Sequence, residues 1–313
     1  MNTRNRALRL HEYGQQDGLR VDEVAPPELA PTQVLVEVKA AGVNPLDQKL
    51  AAGWLRQGFP LTLPATLGLE LAGVVTAVGS ATSGRLAVGD RVMGLAGIGA
   101  YADLVAVSEA GLAVTPAALS DVQAAALPVA ALTAWQLLRA AGEPRSGSTV
   151  LVHGASGGVG GFAVQLAKAL GAKVLATTST ESVDYVRGLG ADTVFDRRAQ
   201  RFEDEARDVD LVLDLVGGDT VERSWAVLAP DGAIATVATM DIAKKTPAGK
   251  RGVWLSMKGD PELLARLAAD VASGALRSAI AEVVPLSGLA QAILGAGARR
   301  APGKVVVDMT LGQ

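Results

Sequence analysis

Apolar and polar positions alternate along this chain with two different textures. Over the first stretch, short apolar runs separated by Gly, Pro and Asp predict strands at 34–39, 73–78 and 101–107. From Ser120 the pattern turns to an alanine-rich helix predicted over 121–139, with Ser120 as its N-cap. Thereafter strands and helices alternate. Thr149-Val150-Leu151-Val152 reads as a strand buried on both faces, and Val159, Phe162, Ala163, Leu166 and Leu170 recur at helical spacing before Gly171. Lys173–Thr177, Val194-Phe195, Leu211–Val216 and Gly232–Val237 read as further parallel strands. Asp260–Ser273 predicts one amphipathic helix, capped by Asp260-Pro261 and ended by Gly274, and Lys304–Asp308 a last strand. This is an α/β chain with a β-rich beginning, a doubly wound middle and an end that returns to the first domain.

The segment between the first parallel strand and its helix carries the chemistry. His153-Gly154-Ala155-Ser156-Gly157-Gly158-Val159-Gly160 opens a complete βαβ unit, the setting a dinucleotide site requires. Gly154, Gly157, Gly158 and Gly160, with Ala155, Ser156 and Val159 between them, let backbone approach a pyrophosphate at a helix N-terminus. The competing reading is a bare strand–helix turn. After the second strand, where NADH-binding folds place an acid, stand Thr178, Ser179 and Thr180. That neutral surface does not repel a 2′-phosphate and favours NADPH over NADH, although Glu181 pulls the other way. Tyr185 is placed to line an adenine pocket or simply a helix face. Val216-Gly217-Gly218 follow a strand at the carboxyl end of the sheet, where ligands bind, or form a plain turn.

Composition narrows the rest. In 313 residues, 49% are hydrophobic and 19% charged, with a formal net charge of −3. No apolar run is long enough to span a membrane, and Met1–Arg6 is not followed by a signal core. No basic stripe suggests nucleic acid, and the expected location is the cytoplasm. The chain has no cysteine and two histidines, His11 and His153, far apart in sequence. Thiolate chemistry, a Cys-ligated zinc and an imidazole-rich metal site are excluded, so catalysis must rest on an organic cofactor. His153, at the last strand position, is read as a packing residue rather than a base.

Several motifs together resemble the zinc-independent branch of the medium-chain dehydrogenase/reductases, the quinone oxidoreductase or zeta-crystallin-like family. These are Ala40-Ala41-Gly42-Val43-Asn44-Pro45-Leu46-Asp47, Leu67-Gly68-Leu69-Glu70-Leu71-Ala72-Gly73, Val88-Gly89-Asp90-Arg91-Val92, Ala125–Trp135, the glycine turn and Pro302-Gly303-Lys304-Val305-Val306. The resemblance implies a GroES-like β-barrel catalytic domain (1–120 and 259–313) and a doubly wound Rossmann domain (121–258). Zinc relatives carry a cysteine at Asn44 and a histidine at Leu69, so no metal is expected. Asn44 and Asp47 are the catalytic candidates: Asn44 to orient the carboxamide or a substrate carbonyl, Asp47 to orient or to cap the following helix. Thr133 stands for the threonine beside the nicotinamide, and Glu70 belongs to a polar network.

NADPH-using relatives carry lysine at Ser182 and tyrosine at Arg197. The first departure removes a phosphate contact, and Arg197 or Arg198 can restore one. Lys49, Trp54, Tyr101, Met240 and Trp254 are candidates to line the pocket or the core, and Gly252–Met257 is the candidate edge strand and homodimer face that the resemblance implies, or a strand buried against its own domain. The implied activity is NADPH-dependent hydride transfer to a small quinone or α,β-unsaturated carbonyl. The rivals are an enoyl-thioester reductase, whose customary tyrosine near Asn44 is missing here, and a non-catalytic NADPH-binding sensor or structural protein.

Overall fold

In the computed structural model, which describes residues 5–295 and 301–312, six parallel strands form the sheet that the middle of the sequence predicts. Their spatial order is Thr193–Asp196, Lys173–Thr178, Thr149–His153, Val209–Asp214, Leu228–Thr236 and Arg251–Trp254. The order reverses on either side of Thr149–His153, so the crevice of this sheet opens beyond the carboxyl end of that strand. The start of the basic segment Met1–Arg6, as far as Arg4, lies outside the described residues.

The remaining strands build a mostly antiparallel body around Gln33–Val43, which pairs with Glu70–Val78 and Leu104–Ser108. The closing strand Lys304–Asp308 pairs antiparallel with residues 40–43 and parallel with Ile280–Pro285. The chain therefore does return to its beginning. A second small sheet joins Asn5–Leu10 to Leu19–Val24 and to Ala65-Thr66. Helix Pro261–Ala272, N-capped by Asp260 through Leu263 N–H at 2.9 Å, buries Leu263, Leu264, Leu267 and Ala268 in the core shared with the parallel sheet.

Four predicted elements differ clearly from what the chain forms. The helix expected over 121–139 is two, Asp121–Ala125 and Pro128–Ala140. Pro128 has no N–H to continue a ladder, and it opens a new helix at its first position. Ser120 does cap the first of them, accepting Gln123 N–H at 3.2 Å in a capping box. The strand expected over 101–107 begins at Leu104, because Tyr101 bonds Leu67 and Leu8 in the small sheet instead. The strand expected to reach Val216 stops at Asp214, whose Oδ1 accepts the N–H groups of Val216 (3.2 Å) and Gly217 (2.9 Å) and so bends the chain. Edge pairing likewise ends at Trp254 rather than Met257.

Candidate cofactor and substrate site

At the glycine turn the backbone leaves strand Thr149–His153 through Gly154, with φ of +73°, and enters helix Gly158–Ala169. Gly160 is required by packing, since a Cβ there would lie 2.2 Å from Gly154 O. Gly157 is different. It is exposed, and a Cβ there would meet nothing closer than Gly154 O at 3.4 Å. Its missing side chain keeps the turn open rather than closing a contact, which suits an approaching phosphate. Val216 and Gly217 come to the same place: a Cβ on Gly154 would meet Val216 Cγ2 at 3.2 Å. Ala155 is buried and Ser156 and Val159 are half-buried within the turn.

The second strand ends at Thr178, beside Ser179, Ser182 and Tyr185. Thr178 Oγ1 and Ser182 Oγ are buried without a hydrogen-bond partner, unusual for hydroxyls taken out of water. Thr239 Oγ1 is in the same condition, and a Cβ on Gly217 would meet it at 3.2 Å. Thr239 was not singled out from the sequence. An open glycine turn and three unsatisfied hydroxyls at the carboxyl ends of parallel strands fit a dinucleotide. Tyr185 leans toward the turn helix, since a Cβ on Gly161 would meet its Oη at 3.3 Å. Arg197 is exposed and joins the strand end through its backbone N–H to Thr178 O, 2.9 Å.

Across the crevice, Asn44 caps the short helix Pro45–Ala51, and Asp47 Oδ2 accepts the Asn44 N–H at 2.8 Å. Asn44 Nδ2 donates to Glu70 Oε1 (2.9 Å) and Gly42 O (3.3 Å), while Asn44 Oδ1 accepts from Lys304 Nζ at 2.6 Å. Lys304 Nζ also lies 2.6 Å from Glu70 Oε1, with the two side chains 7% and 0% exposed. Glu70 Oε2 accepts Val129 N–H at 2.7 Å, a donor left free because Pro128 starts the helix there. Glu70 is thus a member of a buried network, as read from the sequence. Both N–H groups of Asn44 are committed, so its remaining capacity is to accept at Oδ1. As it stands, Asn44 can orient a carboxamide N–H but cannot donate to a substrate carbonyl.

Lys304, which stands in the Pro302–Val306 motif, is given no role by the sequence reading. Its neighbour Gly303 bridges Gly157 and donates to Ser156 O at 2.8 Å. A Cβ on Gly158 would meet Lys304 Cβ and Cδ at 3.5 Å. One residue therefore packs its stem on the glycine turn and puts its ammonium on Asn44. The signal available in the sequence was a lone lysine heading an apolar strand, a charge entering a core that needs a partner.

Tyr101 is not a pocket wall. It is fully buried, its hydroxyl donating to Asp47 Oδ2 at 2.8 Å and lying 3.1 Å from Gly42 O. Burial pushes the Asp47 carboxyl up to about 6, against the opposing Tyr101 hydrogen bond, and pushes the Tyr101 hydroxyl well above its usual range. His153 is sealed between Thr177 Oγ1 and Ser224 Oγ, both at 2.9 Å. Since Ser224 donates to Thr220 O, it accepts from His153 Nε2–H, and Nδ1 accepts from Thr177. Burial holds this imidazole neutral, down at about 3. Thr133 is buried in helix Pro128–Ala140 and Lys49 half-buried in helix Pro45–Ala51. Trp54 and Met240 are exposed, and Trp254 stands on the edge strand.

Comparison with known proteins adds the ancestry. The profile described as "Alcohol dehydrogenase GroES-like domain" matches residues 30–117, and that described as "Zinc-binding dehydrogenase" matches 189–307. A 2-methylene-furan-3-one reductase of Solanum lycopersicum is 36% identical over 310 residues, 95% of this chain and 77% of that protein. The chain belongs to the quinone oxidoreductase family of medium-chain dehydrogenase/reductases. Within that family, a chloroplastic NADPH-dependent alkenal/one oxidoreductase of Arabidopsis thaliana is 34% identical over 311 residues, 95% of this chain and 77% of its own length. The quinone oxidoreductase from Coxiella burnetii superposes with a TM-score of 0.91 at 32% identity, covering 98% of this chain and 99% of its own. The Escherichia coli quinone oxidoreductase complexed with NADPH does so at 0.88 and 29%, covering 97% and 99%. A spectinabilin polyketide synthase protein, NorB of Streptomyces orinoci, is 42% identical over 225 residues, 70% of this chain and 10% of that protein. Like its family, the chain combines a GroES-like body with a Rossmann sheet. Among the described residues no helix is long and apolar enough to cross a membrane.

Proposed function

We propose that this chain is a zinc-independent oxidoreductase that uses NADPH to reduce a quinone or an α,β-unsaturated carbonyl. The observation that carries the reading is the direct link, through Gly303 and Lys304, between an open dinucleotide turn and the Asn44 amide. Gly154, Gly157, Gly158 and Gly160 would hold the pyrophosphate, with Ala155, Ser156 and Val159 supplying backbone of the turn. Thr178, Ser179, Ser182 and Tyr185 would hold the adenosine end, and Thr133, Val216 and Gly217 the nicotinamide end. Bound there, the cofactor supplies a hydride. The residues do not fit zinc: Asn44 is spent on Lys304 and Glu70, Leu69 has no donor atom, and among the described residues no three His, Cys, Asp or Glu side chains converge.

The chain's own contribution is alignment and field. Holding donor and acceptor together can lower a barrier by roughly 7–11 kcal/mol. Asp47 fixes the Asn44 backbone, and Glu70 with Lys304 fixes its amide, leaving Oδ1 to accept from a carboxamide. The Lys304 ammonium lies 2.6 Å from that oxygen and equally close to Glu70 Oε1, so the ion pair fixes and polarises the Asn44 amide without adding net charge. Solvent can then supply the proton, because quinol and enolate anions are already stabilised by conjugation. Enoyl-thioester reduction is supported less well. Tyr101, the tyrosine bonded into the Asn44 loop, is fully buried with its hydroxyl donating to Asp47. A homodimer through the edge strand Arg251–Trp254, where Trp254 is 36% exposed, and a cytoplasmic location belong to the same reading.

The test is the initial rate of NADPH consumption, with NADH beside it, against a small quinone and a linear enone, with and without a chelator. Chelator-insensitive turnover that prefers NADPH is expected. Cofactor binding without turnover on any acceptor would move the chain to the sensor reading.

A further inference from the structure

The two segments that follow neighbouring parallel strands are locked together by charge just where one ribose must be told from another. Thr178 and Asp196 are register partners at the carboxyl ends of Lys173–Thr178 and Thr193–Asp196. Asp196 accepts the Thr180 hydroxyl on Oδ2 at 2.7 Å and the Arg198 backbone N–H on Oδ1 at 3.0 Å. So held, Arg198 reaches back across the gap, and its Nη1 donates to Glu181 Oε1 at 2.8 Å. The pair is open to solvent, the side chains 48% and 37% exposed. Next to Ser179 and Glu181 lie the buried hydroxyls of Thr178 and Ser182, which lack partners.

We propose that Arg198 is the cation that receives the 2′-phosphate of NADPH, and that Glu181 is its resident counter-ion, whose displacement sets how strongly NADPH is preferred over NADH. The inference rests on the dinucleotide reading above and adds the residues that discriminate within it. An exposed ion pair opens at little cost. A phosphate brings nearly two negative charges and three acceptor oxygens where Glu181 brings one charge, so it wins the planar guanidinium fork. Glu181 gives up Arg198 but not its place, which its other contacts hold. Its carboxylate is held by its own backbone N–H, by Arg198 and by the Ser179 hydroxyl, contacts that pull it down to about 2. It stays ionised beside the phosphate and repels it, and it can accept from the ribose hydroxyls of NADH as acids do in NADH-binding folds. The chain therefore takes both cofactors, with an NADPH preference that Glu181 holds in check.

The experiment is calorimetric titration of the full chain with 2′,5′-ADP and with 5′-ADP, which needs no turnover. Wild type should bind 2′,5′-ADP more tightly. Arg198→Met should weaken 2′,5′-ADP by about 10–100-fold, the range of a charge-assisted contact, and leave 5′-ADP within about twofold. Glu181→Gln should tighten 2′,5′-ADP by about fivefold, an advantage that shrinks as salt screens the carboxylate. Both side chains are exposed, so circular dichroism of the variants should match wild type. A 2′,5′-ADP affinity unmoved by Arg198→Met, or lost with Arg197→Met instead, overturns the assignment while wild-type binding keeps the cofactor reading intact. Weaker 2′,5′-ADP binding in Glu181→Gln overturns the counter-ion role. Wild type that binds neither nucleotide, nor NADPH, takes both readings down.

Discussion

Replacing Lys304 by Met removes a charge from the centre of the network and leaves its carbon stem in place against Gly42 and Gly158. What remains is Glu70, fully buried, with hydrogen bonds from Val129 N–H and Asn44 Nδ2 but no cation. Removing one partner of a buried ion pair costs about 3–5 kcal/mol, because the other charge is left uncompensated. The two surviving hydrogen bonds put Lys304→Met near the lower end, about 3 kcal/mol, to be set against a total stability of about 5–15 kcal/mol. Adding Glu70→Gln should recover most of the loss. Urea denaturation followed by circular dichroism, on wild type, both single variants and the double, measures both effects. A loss under about 1 kcal/mol would mean that the pair behaves like an exposed one, and the network argument would be wrong.

The glycine turn separates two effects that are usually confounded. Gly160→Ala, whose Cβ would lie 2.2 Å from Gly154 O, should cost about 1–3 kcal/mol and abolish NADPH binding, whereas Gly157→Ala should hold its melting temperature within about 2 °C and still bind NADPH at least tenfold more weakly. Equal losses in both would contradict the distinction. Thr178→Val deletes a buried hydroxyl that has no partner, so thermal stability should be unchanged or slightly higher while NADPH affinity, by fluorescence titration, falls about fivefold. For His153, held neutral by burial down to about 3, ring NMR shifts should show no titration between pH 8 and 4.5. Its folded pKa lies below its unfolded value, so its contribution is fully present above about 6.5 and is lost by about 1.4 kcal/mol per unit as pH falls below that. A titration midpoint near 6.5 would sink the assignment.

What could be read from the residues was whatever a local period encodes. The strand–turn–helix around Gly154 declares itself because all its determinants lie within one βαβ unit, and the Ser120 and Asp260 caps for the same reason. Errors arose where a longer-range partner outbid the local pattern. Tyr101 sits in a run that alternates like a strand, yet it turns into the core because Gly68, at φ of +97°, makes room for its ring and Asp47 accepts its hydroxyl hydrogen bond. Asn44 shows the deeper difficulty. Residue type identifies it as an amide able both to donate and to accept, and nothing near it in sequence tells which atoms are already spent. The answer comes from Glu70 and from Lys304, which meets it across 260 positions of chain. That contact also changes where the chemistry should be sought. With both Asn44 N–H groups committed, a donor beside Oδ1 is the ammonium of Lys304, which has three N–H groups and, among the described residues, two close partners in Glu70 and Asn44. A lysine heading the last strand, and not the loop asparagine, is then the residue where a remaining donor is to be sought.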